Sequence, residues 1–126
     1  MHHLADTNWL SRLQSEIHYA RPGPASKLVS TGRVHVNAIS IAEYFSGGRV
    51  PIRLHVLGLV TRLPALSYGE AEEAAELRHR RQKSGRPLAL PDALMAATAM
   101  RHRMQLLTAD KDFSGIPGLK WSSYRD

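Results

Sequence analysis

The sequence predicts a single α/β domain whose parallel sheet is covered by helices on both faces. Short apolar runs of strand length alternate with longer segments in which apolar residues recur at helical spacing. Strands that alternate with helices are joined by crossover connections, and such connections make neighbouring strands parallel. The 126 residues, 43% of them hydrophobic, suit one globular domain that spans 1–126.

The first half of the chain predicts three helices between short strands. The first helix carries Trp9 and Leu13 on one face, and it ends before the helix-breaking Arg-Pro-Gly-Pro sequence at 21–24. The second begins at Ser40, and the third begins at Pro51, because proline is favoured in the first turn of a helix. Apolar segments predict strands at 3–5, 34–39 and 63–66.

The second half predicts two further helices. In the helix at 70–83 the acidic residues come first and the basic residues last, which matches the helix dipole at both ends. Its acidic residues therefore predict a solvated face: Glu70, Glu72, Glu73 and Glu76. Pro91 opens an alanine-rich helix that continues to Arg103, and strands are predicted at 105–108 and 119–121.

Composition narrows the class of partner and the compartment. The chain has 17 basic and 11 acidic residues, a net charge of +6, which is compatible with a nucleic acid partner and equally with an ordinary basic surface. It has no cysteine, which excludes disulfides and cysteine-ligated zinc. No apolar run approaches the length of a membrane span, and the first residues lack the pattern of a signal peptide. We therefore expect a cytoplasmic protein without membrane contact.

Four acidic residues lie beside apolar segments instead of on a polar face. Asp6 and Asp110 follow predicted strands, where residues of a parallel sheet line the ligand crevice. Asp92 and Glu43 lie at predicted helix starts, which can face the same crevice.

Each of these four acids also has a structural explanation. Asp6 can cap the first helix, and Asp92 can be a first-turn acid favoured by the helix dipole. Glu43 completes a Ser-x-x-Glu capping box that starts at Ser40, and Asp110 can be an ordinary turn residue. One shared site would explain all four acids together.

Convergence of the four carboxylates would require a cation, because clustered carboxylates without a counterion repel one another. Oxygen ligands favour Mg²⁺ or Mn²⁺ over zinc, and such ions support the hydrolysis of phosphodiesters. Asp112 is either an auxiliary acid of this cluster or a surface turn residue.

Four segments stand in a characteristic order: Leu-Ala-Asp-Thr-Asn at 4–8, Ile-Ser-Ile-Ala-Glu at 39–43, Pro-Asp-Ala-Leu-Met-Ala-Ala-Thr-Ala at 91–99 and Leu-Leu-Thr-Ala-Asp-Lys-Asp-Phe at 106–113. In this order and spacing they resemble the PIN-domain family, in particular the VapC toxins of bacterial and archaeal VapBC toxin–antitoxin pairs. The resemblance covers nearly the whole chain. It implies an α/β/α sandwich around a parallel sheet and a metal-dependent endoribonuclease.

The resemblance also implies roles for individual residues. Asp6, Glu43, Asp92 and Asp110 match the family's acidic quartet, in which Asp6, Asp92 and Asp110 would bind Mg²⁺ or Mn²⁺ and Glu43 would orient or deprotonate the attacking water. The supporting polar positions would be Thr7, Asn8, Thr108 and, as an auxiliary acid, Asp112. The implied partners are RNA (tRNA or rRNA), a VapB-like antitoxin and a second copy of the chain.

Two further readings of the sequence concern RNA contact. A basic run can either bind an RNA backbone or be a solvated helix end: Arg78, Arg80, Arg81, Lys83 and Arg86. Tyr68, Trp121 and Tyr124 can stack on bases, although packing is the commoner role.

The alternative functions are an RNA- or partner-binding module without turnover, and a PIN nuclease that acts on DNA or in RNA processing.

Overall fold

The computed structural model describes residues 1–123 and confirms the α/β prediction. Five parallel strands form one sheet in the order β3-β2-β1-β4-β5. The strands are β1 His3–Ala5, β2 Val34–Val36, β3 Thr61–Arg62, β4 Gln105–Leu107 and β5 Trp121–Ser122. The helices are α1 Thr7–His18, α2 Pro24–Val29, α3 Ala38–Phe45, α4 Pro51–Gly58, α5 Tyr68–Lys83 and α6 Leu90–Arg101.

Helices cover both faces of this sheet, so the predicted α/β/α sandwich is confirmed. Successive strand residues point to opposite faces. Leu4 and Leu106 pack with residues of α5 and α6, whereas Ala5 and Val36 pack with residues of α1, α3 and α4. None of the helices within residues 1–123 has both the length and the apolar character needed to cross a membrane.

The start of α3 corrects one sequence prediction. Strand β2 ends at Val36, and Asn37 is the N-cap, with its side-chain oxygen accepting a hydrogen bond from the backbone N–H of Ser40 at 3.0 Å. Ser40 is therefore inside the helix, and the predicted strand at 34–39 is too long. Glu43 lies in the second turn, so the predicted capping box at Ser40 and Glu43 is wrong.

The capping box of the chain lies instead at the start of α5. The Ser67 hydroxyl accepts from the Glu70 backbone N–H, and the Glu70 carboxylate accepts from the Ser67 N–H. Glu70 is only 4% exposed, so its predicted place on a solvated face is wrong. Thr98 of α6 donates its hydroxyl hydrogen to Glu70 at 2.6 Å, a tertiary contact that joins α5 to α6.

Shorter elements depart most from the sequence predictions. The strand predicted at 63–66 lies at Thr61–Arg62, and the edge strand predicted at 119–121 lies at Trp121–Ser122. Helix α2 and a 3-10 turn at Lys111–Phe113 were not predicted. The carboxylate of Glu16 in α1 accepts three backbone N–H groups at the start of α2, which only the tertiary structure brings together.

Candidate active site

The four predicted acids line one cleft at the carboxyl ends of β1 and β4. The cleft has a volume of about 320 Å³. Its walls are Asp6, Thr7, Asn8, Glu43, Asp92, Met95, Asp110 and Phe113. Strand ends supply two of the acids and helices the other two, as expected for a crevice at the edge of a parallel sheet.

Asp6 both caps α1 and lines the cleft, the two positions that the sequence left open. It is the N-cap of α1, and its carboxylate accepts a hydrogen bond from the backbone N–H of Trp9 at 2.8 Å. The same carboxylate accepts a hydrogen bond from the Thr108 hydroxyl and lines the cleft. The cap therefore fixes the orientation of the carboxylate and leaves it facing the other acids.

Asp110 is held by a short series of hydrogen bonds from neighbouring residues. Its backbone N–H donates to the Thr108 hydroxyl oxygen at 3.1 Å, and its Oδ1 accepts from the Asp112 backbone N–H at 2.9 Å. Thr108 is fully buried and contacts both Asp6 and Asp110. The structure thus places Thr108 behind two of the acids, as its predicted supporting role requires.

Glu43 reaches the cleft from α3 and contacts the start of α1. The Thr7 hydroxyl lies 3.3 Å from Glu43 Oε1 and donates to it. Asn8 lines the same cleft. Asp112 is exposed and does not line the cleft, but its charge contributes to raising the pKa of Asp92.

Asp92 has the most perturbed acidity in the cleft. Burial raises the pKa of Asp92 to about 6, and repulsion from Asp110, Glu43, Asp112 and Asp6 adds to that effect. Burial also raises the pKa of Asp6, against the opposing effect of its hydrogen bonds from Thr108 and Trp9. These carboxylates lie close enough to repel one another.

The donor set fits Mg²⁺ or Mn²⁺. Every polar side chain that lines the cleft offers oxygen donors, which hard divalent ions prefer. Within residues 1–123, however, no three His, Asp or Glu side chains stand close enough together to hold a metal ion by themselves. Mg²⁺ binds through one or two carboxylates and keeps several waters, so such a site needs no closed cage.

Two apolar residues of the cleft were missed from the sequence. Met95 lies one turn after Asp92 on α6, so helical spacing could have found it. Phe113 is buried beneath the turn that follows Asp110. Together they give the cleft an apolar floor, which reduces the solvation of the acids.

The basic run of α5 is only partly available to RNA. Arg78, Arg81 and Arg86 donate to the backbone carbonyl oxygens of Leu88, Asp112 and Ser114, respectively. Arg81 is only 8% exposed, which argues against its predicted contact with RNA. Arg80 and Lys83 are exposed and keep that prediction.

The three candidate aromatic residues differ in their surroundings. Tyr68 is 89% exposed at the start of α5. Trp121 packs against the core beside α6, as the commoner role predicts, and Tyr124 lies outside the described residues.

Comparison with known proteins agrees with this architecture. The family model of the PIN domain matches residues 4–119. The chain is similar to a toxin–antitoxin complex from Klebsiella pneumoniae, at 28% identity over 92% of this chain and 93% of that chain, with a TM-score of 0.68. No curated protein matches it in sequence.

Two further solved structures show the same fold at lower identity. VapBC2 from Rickettsia felis, bound to a promoter DNA fragment, is 18% identical over 97% of this chain and 98% of that chain, with a TM-score of 0.75. DNA-bound VapBC from Salmonella typhimurium is 17% identical over 97% of both chains, with a TM-score of 0.71.

Proposed function

The chain belongs to the PIN-domain family, and from this premise we propose that it is a metal-dependent endoribonuclease, the toxin of a type II toxin–antitoxin pair. The observation that carries the proposal is the cleft in which four carboxylates from different elements meet. A chain with a net charge of +6 that concentrates acids in one cleft suits a polyanionic substrate held next to a cation. The substrate class is RNA, with tRNA or rRNA as the expected targets.

The residues of the cleft have different roles in the proposed reaction. Asp6, Asp92 and Asp110 would hold the ion, and the ion would neutralise negative charge at the phosphodiester. Glu43 orients the attacking water and accepts its proton. The Thr7 hydroxyl holds Glu43 Oε1, which leaves Oε2 for that proton. Thr108 keeps Asp6 and Asp110 in a fixed relative position.

The partners follow from the neighbouring structures and the family. The structure from Klebsiella pneumoniae is a toxin–antitoxin complex, and those from Rickettsia felis and Salmonella typhimurium are VapBC assemblies bound to DNA. We extend this to a VapB-like antitoxin for the present chain, to a homodimer, and to action in the cytoplasm.

A second candidate is a PIN-like module that binds RNA or a partner without turnover. The observation that favours it is the lack of a ready three-ligand cage within residues 1–123. Clustered carboxylates that repel one another are a disadvantage in a module that only binds phosphates, and this favours the enzyme.

Cleavage of end-labelled RNA by the purified chain separates the two candidates. We expect cleavage with Mg²⁺ or Mn²⁺, none with EDTA, and poor rescue by Ca²⁺, whose larger shell positions water less well. Glu43→Gln should lower the rate by about 100-fold or more. Glu72→Gln is the matched control, since Glu72 is exposed on α5. RNA binding without cleavage under all metal conditions would favour the binding module, and full cleavage in EDTA would exclude the metal mechanism.

A further inference from the structure

Both backbone polar groups of Asp112 are hydrogen-bonded. Its N–H donates to Asp110 Oδ1 at 2.9 Å, so it fixes a carboxylate that lines the cleft. Its C=O accepts from Nη2 of Arg81 at 3.0 Å. The Asp112 backbone therefore links the Arg81 guanidinium to the Asp110 carboxylate.

Arg81 reaches the Asp112 carbonyl from helix α5. It lies near the end of α5, and its Nε donates to the Arg86 carbonyl at 2.9 Å, which fixes the plane of the guanidinium. Arg86 in turn donates through Nη2 to the Ser114 carbonyl at 3.4 Å. The 3-10 turn that follows Asp110 is thus tied to α5 at Asp112, and Ser114, just after the turn, is tied to the segment that follows α5.

Burial of Arg81 is costly for the fold. The residue is 8% exposed, and within residues 1–123 its buried Nη1 has no hydrogen-bond partner. Burying a cation with an unsatisfied donor costs free energy, and this cost offsets part of the stability that its two hydrogen bonds provide. The burial of an arginine at position 81 is therefore better explained by the geometry that Arg81 imposes on the turn than by a large gain in the free energy of unfolding.

We infer that Arg81 is a positioning residue for Asp110. It acts through the backbone of Asp112, from the carbonyl that it binds to the N–H that holds the Asp110 carboxylate. The catalytic part of this inference rests on the proposed function, because positioning affects turnover only if Asp110 serves the reaction. The inference also gives Arg81 a role different from that of Arg80 and Lys83, which keep the predicted contact with RNA.

Hydrogen exchange of the Asp112 amide tests the positioning without RNA or metal. In Arg81→Met we expect this amide to exchange about tenfold faster or more, while amides in the middle of α5 keep their wild-type rates. Arg81→Lys should give an intermediate rate, because one donor and the charge remain. The matched control is Arg78→Met, which removes a comparable guanidinium–carbonyl bond, to Leu88, on the same helix. Its Asp112 amide should exchange as in wild type.

Steady-state cleavage of RNA gives the second readout. Arg81→Met should lower kcat about tenfold or more with an unchanged KM for RNA, because orienting groups behind a metal-site ligand have effects of this size. Arg101→Met, which removes an ion pair with Glu73 and lies outside the basic run, should keep both constants. A raised KM with an unchanged kcat would identify Arg81 as an RNA contact and overturn the inference.

The two readouts distinguish the possible failures. Wild-type exchange at Asp112 in both Arg81 variants would overturn the positioning role whatever the activity. Faster exchange in a chain that shows no cleavage even as wild type would support the positioning of Asp110 and reject the proposed function. If both Arg81 variants are unfolded at the assay temperature, Arg81 is needed for the fold as a whole, which also overturns the inference.

Discussion

Two pairs of buried or partly buried carboxylates in this molecule have contrasting surroundings. Glu16 and Glu70 lie away from the cleft, and each accepts several hydrogen bonds. Asp6 and Asp92 lie in the cleft and face other acids. Burial is common to both pairs, so the difference lies in what surrounds each carboxylate.

The pKa values record this difference. Burial raises the pKa of Glu70, but the hydrogen bonds from Thr98 and Ser67 outweigh it, so the net pKa lies below the usual value. For Glu16, burial is likewise outweighed by hydrogen bonds from Ser26, Ala25 and Gly23, and its net pKa is lowered. The pKa values of Asp6 and Asp92 are raised. Satisfied acids stabilise a fold, whereas acids that repel one another reduce its stability until a ligand neutralises them.

Asp6→Asn should give the largest effect, and the effect should be on activity. The substitution keeps the shape and the cap of α1 but removes one charge from the cleft. We expect RNA cleavage to fall by more than about 100-fold, because even groups behind metal ligands are worth 10- to 100-fold. The melting temperature should stay the same or rise slightly. Wild-type turnover, or a collapse of the melting temperature, would refute this role of Asp6.

Glu70→Gln should give the largest loss of stability. We expect about 2 kcal/mol in urea unfolding at neutral pH, because Thr98 and Ser67 lose a charged acceptor. The folded pKa of Glu70 is lowered, so its contribution is present above the ordinary pKa and should fade as pH falls through the folded value. Glu72→Gln, exposed on the same helix, is the control. Equal free energies of unfolding for Glu70→Gln and Glu72→Gln would contradict the stabilising role of the Glu70 carboxylate.

Asp92→Asn should change stability by less and in the opposite direction. The folded pKa of about 6 exceeds the ordinary 3.8, so between these values the folded state binds more protons and stability falls as pH rises. Since Asp92 is partly exposed, we expect a gain of only about 1 kcal/mol above pH 7 without metal, and none near pH 4. Urea unfolding at both pH values measures it. A loss of stability at high pH would contradict the repulsion.

The sequence predicted the acids of the cleft better than it predicted the satisfied acids. Asp6 and Asp110 follow short apolar strands, a local signal that places them at the sheet edge. The partners of Glu70 and Glu16, by contrast, include Thr98 on another helix and the start of α2, which local patterns do not show. The Ser40 capping box failed for the same reason, since Asn37 caps α3 and also donates to Thr98. Arg81 matched a basic run in sequence, and only the packed turn shows that it is buried.

The ionisation of Asp92, followed by NMR of its carboxyl carbon with and without saturating Mg²⁺, tests the central claim most directly. The claim is that the cleft acids repel one another because they are arranged to share a cation. We expect a pKa of about 6 in EDTA, and a fall of about one unit or more when Mg²⁺ is added. The pKa of Glu70, whose carboxylate is already satisfied, should not change. A Mg²⁺-independent pKa of Asp92 would contradict the claim and, with it, the assignment of this cleft as a metal-dependent active site.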